Sequence, residues 1–378
     1  MKLALVSDAF DSTNGWGLYS GEIARGLIAR GVDVRLCSPW RHCAMDDLRA
    51  HGDRVDIPSF QHGVRHFAKL AALTAPSLRR AFESVDAVHV MVEPYAPVSA
   101  ALARRRPLVV SLVGTYARPS TRPWAEAAAL RWAMRRACRL SAISAYTAEV
   151  VRHDTGLAHT TVVPLAVRAS DYAMVIPPKR EPGLILSVGE IKPRKGYDLV
   201  IEALPAVRAE VPNARYVMVG AFRDTSPYVR QLRARIAALG LNHAVTFAGL
   251  VPQAEKVAWY HRAAVVAMPY REVHGDFEGF GLVLLEAGAC GTPTVTTRDS
   301  GGSEPVIHDF NGLLIDRAAP APVAEAIARV LAQSDLADRL GAGGRQRAAE
   351  MTWERTTQQM LDVYADVLGR RMELMPTP

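Results

Sequence analysis

Val265-Val266-Ala267-Met268, then Phe277-Glu278-Gly279-Phe280-Gly281-Leu282-Val283-Leu284-Leu285-Glu286-Ala287-Gly288-Ala289, then Thr294-Val295-Thr296-Thr297: the order of these three segments decides how the chain folds. The first is a short apolar run of the kind found in a buried parallel strand. The second has helical spacing from residue 280 to 289, and the third reads as another strand. Strand, helix and strand in this order predict parallel strands joined by a right-handed crossover. Gly279 and Gly281 surround Phe280 just before the helix, so backbone N–H groups there can face an anion, helped by the helix dipole.

The same alternation extends in both directions. Toward the N-terminus, strands are predicted at 3–7, 32–37, 87–92, 108–113 and 140–144, with a helix over 18–30 that stops at Gly31. Nearer the quoted segment, strands fall at 184–188, 214–219 and 245–248, and helices at 196–210, 227–239 and 253–262. Pro177, Pro178 and Pro182 interrupt the pattern, because proline cannot sit inside regular central elements. The expected fold class is α/β, with two doubly wound Rossmann-like domains facing each other across a cleft. Residues 1–170 form the first domain, 171–182 a linker, and 183–352 the second. Residues 353–378 are expected to form a terminal helix packing back across the junction. In such folds ligands bind beyond the carboxyl ends of the strands.

A length of 378 residues suits two domains. No run approaches the roughly 20 apolar residues of a membrane span, and the start of the chain lacks a secretory pattern, so a cytoplasmic location is expected. Cys37, Cys43, Cys138 and Cys290 have neither metal-ligand nor redox spacing and read as reduced, packed thiols. The formal charge of +7 is uneven: residues 1–170 carry 22 Lys and Arg against 14 Asp and Glu, a net of +8. This surface favours anionic partners, or is simply a solvated basic face.

Glu278 and Glu286 are carboxylates able to accept hydrogen bonds from vicinal hydroxyls, which suits a sugar at one end and a ribose at the other. A glycine-rich helix start with a solvated glutamate fits the same residues. The segment resembles the E-x7-E motif of the retaining glycosyltransferases of family 4, which have the GT-B fold. Ser187-Val188-Gly189-Glu190-Ile191-Lys192-Pro193-Arg194-Lys195-Gly196 looks like that family's phosphate-binding loop. Ala258-Trp259-Tyr260, Ser300-Gly301-Gly302 and Asn311-Gly312-Leu313-Leu314 match its neighbouring elements. The resemblance implies that Glu278 binds donor-sugar hydroxyls and Glu286 the ribose. The backbone around Gly281, Leu282 and Val283 would hold the diphosphate, which Lys195 would neutralise as the glycosidic bond breaks, and Gly279, Phe280 and Glu190 would also belong to the donor site. A surface lysine at a helix start is the plainer reading of Lys195, although the dipole disfavours a cation there. Asn14-Gly15-Trp16-Gly17 resembles the glycine-rich loop after the first strand, with Gly15 and Gly17 letting the backbone approach the donor phosphate or the acceptor. Ser144 resembles a common serine at a strand end and is equally a helix N-cap.

Two positions depart from the family pattern. Glu190 stands where an arginine is usual, so it must point away or be paired; Arg194 and Lys192 are close enough in sequence to supply the missing charge, and Arg194 is the favoured one. Val113 replaces a frequent histidine before Gly114-Thr115-Tyr116, an acceptor-side loop. Glu304 and Pro305 are also in swapped order, which makes Glu304 a weaker donor-site candidate. No D-x-D sequence occurs, so metal is not expected. The implied activity is metal-independent, retaining transfer of a hexose from a nucleoside-diphosphate sugar, UDP or GDP, to an unidentified glycan, lipid-linked or small-molecule acceptor. A GT-B-fold sugar-nucleotide epimerase or hydrolase, or a catalytically impaired sugar binder, are the alternatives. A dehydrogenase is a poor fit because the first turn lacks the third glycine of its fingerprint. No nucleic-acid motif is present. Residues 64–80 mix Phe67, Leu70, Leu73 and Leu78 with Arg65, Lys69, Arg79 and Arg80, so a peripheral contact with anionic membrane at the inner face is a candidate. Pro76 makes an ordinary surface helix the competing reading.

Overall fold

A computed structural model describes residues 1–11, 15–40, 46–60 and 66–369. Asn14, Cys43 and Arg65, together with residues 370–378 of the expected terminal helix, lie outside the described residues. The chain divides into two compact units. One is Met1–Leu165 joined by the stretch that begins at Trp353, and the other is Ala166–Thr352.

The first unit carries a seven-stranded sheet in the order β3-β2-β1-β4-β5-β6-β7. Its strands are β1 (Lys2–Val6), β2 (Asp33–Ser38), β3 (Arg54–Asp56), β4 (Ala87–Val90), β5 (Leu108–Leu112), β6 (Arg139–Ala142) and β7 (Thr160–Val162). All pairs are parallel, with Leu3 opposite Val34 on one side and Ala87 on the other. The helices between them are α1 (Gly15–Ala29), α2 (Asp46–Ala50), α3 (Phe67–Ala81), α4 (Ala96–Ala103), α5 (Trp124–Arg136) and α6 (Ala145–Thr155). The central strands are buried because helices cover both sheet faces, which is why they read as apolar runs. Strands β3 and β7 are edge strands without that covering, and their polar sequences give no run to read.

The second unit has six parallel strands in the order β10-β9-β8-β11-β12-β13. These are β8 (Leu184–Val188), β9 (Arg215–Val219), β10 (Val245–Gly249), β11 (Val265–Met268), β12 (Thr294–Thr297) and β13 (Gly312–Ile315). Helices α7 (Tyr197–Glu210), α8 (Pro227–Ala238), α9 (Gln253–Arg262), α10 (Leu282–Ala289), α11 (Pro320–Ala332) and α12 (Ser334–Glu350) complete it. The two units are thus parallel-sheet α/β domains.

The proline-rich stretch does not act as a free tether. Glu181 bonds through its carboxylate to Arg215 and, at 2.5 Å, to Arg262, and its amide reaches the Arg262 carbonyl at 2.7 Å. Tyr172 is buried as well. Proline ends regular structure here, while ion pairs fix the chain to the second unit.

The terminal helix α13 (Trp353–Leu368) rests on α1. Its Tyr364 hydroxyl lies 2.6 Å from Nδ1 of His89 on β4, whose Nε2 is 2.8 Å from Ser111 Oγ on β5. Tyr19 Oη of α1 meets the same serine at 2.8 Å. This polar network is fully buried, and burial holds the His89 imidazole neutral, its pKa depressed to about 3. An unfolded histidine takes up a proton near pH 6.5. The stabilising contribution is therefore complete above about pH 6.5 and is lost as pH falls toward 3. Tyr364→Phe leaves a buried ring nitrogen unpaired and is expected to cost about 1–3 kcal/mol in urea unfolding at pH 7. An unchanged midpoint would show that the network adds nothing to stability.

Candidate functional site

In the second unit the loops beyond the carboxyl ends of β8, β11 and β12 meet. After β8 the chain makes a 3-10 turn, Pro193–Lys195, that ends on Gly196 in the left-handed region (φ 72°). A Cβ at Gly196 would lie 2.2 Å from the Pro269 carbonyl beyond β11, so glycine allows the two loops to touch. That contact brings Arg194 and Lys195 to Glu278. Lys195 Nζ is 3.1 Å from Glu278 Oε2, and the Arg194 guanidinium binds the same oxygen. Burial alone would raise the Glu278 carboxyl, but the two cations overrule it and hold it at about 2. The glutamate is therefore ionised at any physiological pH.

Tyr270 forms the floor of this group, with its ring 5.4 Å from Lys195 Nζ. Its hydroxyl is buried and meets no hydrogen-bond partner among the described residues. From β12 the Ser300-Gly301-Gly302 loop folds onto the turn before α10. The Gly301 amide donates to the Glu278 carbonyl at 3.0 Å, and a Cβ there would come within 2.4 Å of that carbonyl. Helix α10 starts from Gly281 (φ 80°) without a side-chain cap, and Leu282 and Val283 are only half-buried. The start of α10 follows directly on the turn that carries Glu278, with Gly279 and Phe280 buried between them.

Glu286 lies further along α10 and has separate partners. Tyr260 donates to its Oε2 at 2.6 Å, Lys256 Nζ is 3.1 Å away, and Tyr172 donates as well. The carboxylate is 4% exposed. A ribose hydroxyl would have to share it with Lys256, the partner that reaches solvent. Glu190 points outward: it is exposed and pairs with Lys192 at 2.8 Å. Arg194 is occupied with Glu278.

In the first unit Asp11 and Gly17, both beyond β1, lie in contact. The Asp11 amide donates to the Gly17 carbonyl at 3.3 Å, and a Cβ on Gly17 would strike the Asp11 carboxylate. Nothing crowds Gly15. Trp16 stands edge-on to Tyr116, centroids 5.0 Å apart, and Arg122 covers the Tyr116 ring at 4.4 Å. Gly114 (φ 145°) leads into the Thr115–Ala117 turn. Ser144 caps α6, accepting from the Thr147 amide at 2.9 Å. Tyr270, Tyr172, Lys256 and Glu93 escaped the sequence reading. Only Glu93, directly after an apolar strand, left a signal: a carboxylate at the ligand-bearing end of a sheet.

Among the described residues, no group of three His, Cys, Asp or Glu is placed to hold a metal, and no helix is long and apolar enough to cross a membrane.

Two parallel-sheet units, one of them presenting a cation-clamped glutamate before an uncapped helix, define a GT-B glycosyltransferase architecture. The family model described as Glycosyl transferases group 1 matches residues 173–347, and that described as Glycosyltransferase Family 4 matches residues 13–171. The chain belongs to the family 4 type of GT-B glycosyltransferases. It is 35% identical over 181 residues to a GDP-mannose-dependent alpha-(1-6)-phosphatidylinositol monomannoside mannosyltransferase of Mycobacterium tuberculosis, covering 47% of this chain and 46% of that one. It is 35% identical over 188 residues to the D-inositol 3-phosphate glycosyltransferase of Xylanimonas cellulosilytica, covering 50% and 43%. The matched region thus spans less than half the length of these relatives. Among solved structures, Anabaena Alr3699/HepE in complex with UDP is similar, with a TM-score of 0.76 and 20% identity, covering 97% of this chain and 100% of that one. Sucrose-phosphate synthase of Thermosynechococcus elongatus gives 0.76 and 20%, covering 98% and 99%. At these identities the likeness is one of fold.

The clamp has a measurable signature. Glu278 is ionised when folded down to about pH 2, against 4.5 for a free carboxyl, so it stabilises the fold above pH 4.5 and loses that contribution as pH falls toward 2. Acid titration of stability should include a loss of up to about 3 kcal/mol from this group, absent in Glu278→Gln. Identical acid limbs for the two proteins would show that the clamp is not formed in solution.

Proposed function

We propose that the protein is a retaining, metal-independent hexosyltransferase that uses a UDP- or GDP-sugar. The observation that carries this reading is the ionised Glu278 held by Lys195 and Arg194 beside the uncapped start of α10. A carboxylate that cannot protonate is a fixed acceptor for two sugar hydroxyls. The cations and the amides of Gly281, Leu282 and Val283 supply positive charge where a diphosphate leaves. In this mechanism the bond from the anomeric carbon to the phosphate oxygen breaks as the acceptor oxygen attacks the same face. The acceptor's proton passes to the departing phosphate oxygen, so no side-chain base is needed at Val113. Glu190 does not oppose the anion, because it faces solvent and is neutralised by Lys192. Glu286 would take the ribose once Lys256 yields part of its hold. The relatives named as GDP-mannose-dependent and the neighbour bound to UDP support a nucleoside-diphosphate donor.

A thermal-shift panel of UDP-, GDP- and ADP-sugars should single out one donor, since binding raises apparent stability by about 2.7 kcal/mol at 100 times Kd. With that donor, Glu278→Ala should lower transfer by at least about 100-fold, in the range of losing a charged transition-state contact. Unchanged turnover would sink the assignment, and free sugar or an epimer as the main product would indicate a hydrolase or epimerase instead.

The peripheral membrane contact needs a different face from the one the sequence suggested. Phe67, Leu70 and Leu78 of α3 are buried in the core, leaving Leu73 exposed beside the basic residues. On α5, Trp124 is 85% and Trp132 48% exposed, with Arg131 and Arg135 on the same helix. We place an anionic-lipid contact there, at the inner face of a membrane. Vesicles containing phosphatidylglycerol should sediment the protein at low salt, and Trp124→Ala with Trp132→Ala should reduce this at least about tenfold. Equal binding by the double variant would rule out this face.

A further inference from the structure

Glu93, just beyond β4 in the first unit, is fully buried and has no part in the chemistry described above. Its Oε1 accepts the Val113 amide at 2.6 Å, and the carboxylate also takes the Gly114 amide and its own. These two amides begin the turn that carries Thr115 and Tyr116. Oε2 is buried and meets no hydrogen-bond partner among the described residues. A side chain that only filled space here would not need a carboxylate, because burying one with an idle oxygen is costly. The turn it holds is built into an aromatic group: Tyr116 lies 5.0 Å from Trp16 and 5.3 Å from Phe60. The ionisable groups that feel Glu93 are Arg122, whose guanidinium covers Tyr116 and Phe67, and the buried Tyr19.

We propose that Glu93 is a positioning residue for transfer. Its carboxylate fixes the Val113–Gly114 peptide and, through it, the Thr115–Tyr116 turn on the acceptor side. The proposal rests on reading that turn as acceptor-side. Val113 has no polar side chain to offer there, and it is its backbone amide that the carboxylate holds. Burial pushes the Glu93 carboxyl up to about 7. The neutral form is the one the fold favours, so the anchoring contribution is complete below the ordinary carboxyl range and is lost as pH rises through about 7.

Hydrogen exchange of the peptide covering 108–117, corrected for intrinsic rates, reads the anchor in the full chain without any substrate. The wild type should lose about tenfold in protection of the Val113 and Gly114 amides between pH 6 and 8.5. Glu93→Gln keeps the accepting oxygen and cannot ionise, so its protection should stay flat. Glu93→Ala should exchange about tenfold faster throughout. With the donor found by thermal shift, wild-type kcat/KM should fall above pH 7 and the Gln variant's should not. Identical pH courses for wild type and Glu93→Gln, in exchange or in turnover, overturn the proposal. So does full protection in Glu93→Ala. A wild type that turns over no sugar nucleotide, while the exchange results hold, overturns the transferase reading instead.

Discussion

Two cations and one carboxylate occupy a space that burial makes costly for each of them alone. Removing Glu278 leaves two buried cations uncompensated, and so the loops that deliver the three side chains must arrive together. Lys195 and Arg194 come from the turn after β8, and Glu278 from the turn before α10. The close approach of Gly196 to Pro269 and the seating of Gly301 on the Glu278 carbonyl follow from the same requirement. In the proposed reaction a diphosphate entering such a place would meet charges already oriented, with little reorganisation left to do.

Much of this was legible in the sequence for a simple physical reason. Parallel strands covered on both faces are largely apolar, so β1, β4, β5, β8 and β11 declare themselves as runs. The edge strands β3 and β7 escape that rule and were invisible. Pro177, Pro178 and Pro182 marked the end of regular structure correctly but said nothing of Glu181, whose ion pairs tie that stretch to the second unit. The alternating residues of α3 suggested a lipid-facing stripe. Amphipathic spacing does not tell an inward face from an outward one, and Phe67, Leu70 and Leu78 turned inward.

The site was less legible than the fold. Motif spacing singled out Glu278, Glu286 and Lys195 as candidates, but the 3.1 Å contact between Lys195 and Glu278 joins residues far apart in sequence. Arg194 pairs with Glu278 and Lys192 with Glu190, partnerships that spacing alone did not indicate. Tyr260 falls in the matched Ala258-Trp259-Tyr260 element, but Tyr172 and Lys256 around Glu286 have no motif to announce them, since their roles depend on packing that a linear pattern does not encode.

The first unit is discontinuous in sequence, and this has a consequence for synthesis. Its sheet is complete by Val162, yet α13, which supplies Tyr364 to the buried His89, emerges only after the whole of Ala166–Thr352 has been made. On a ribosome the second unit can finish before the first does, although the first is translated earlier. Until then the first unit waits with α1 uncovered and a buried imidazole short of one partner. The last helix is thus the step that closes the earliest part of the chain.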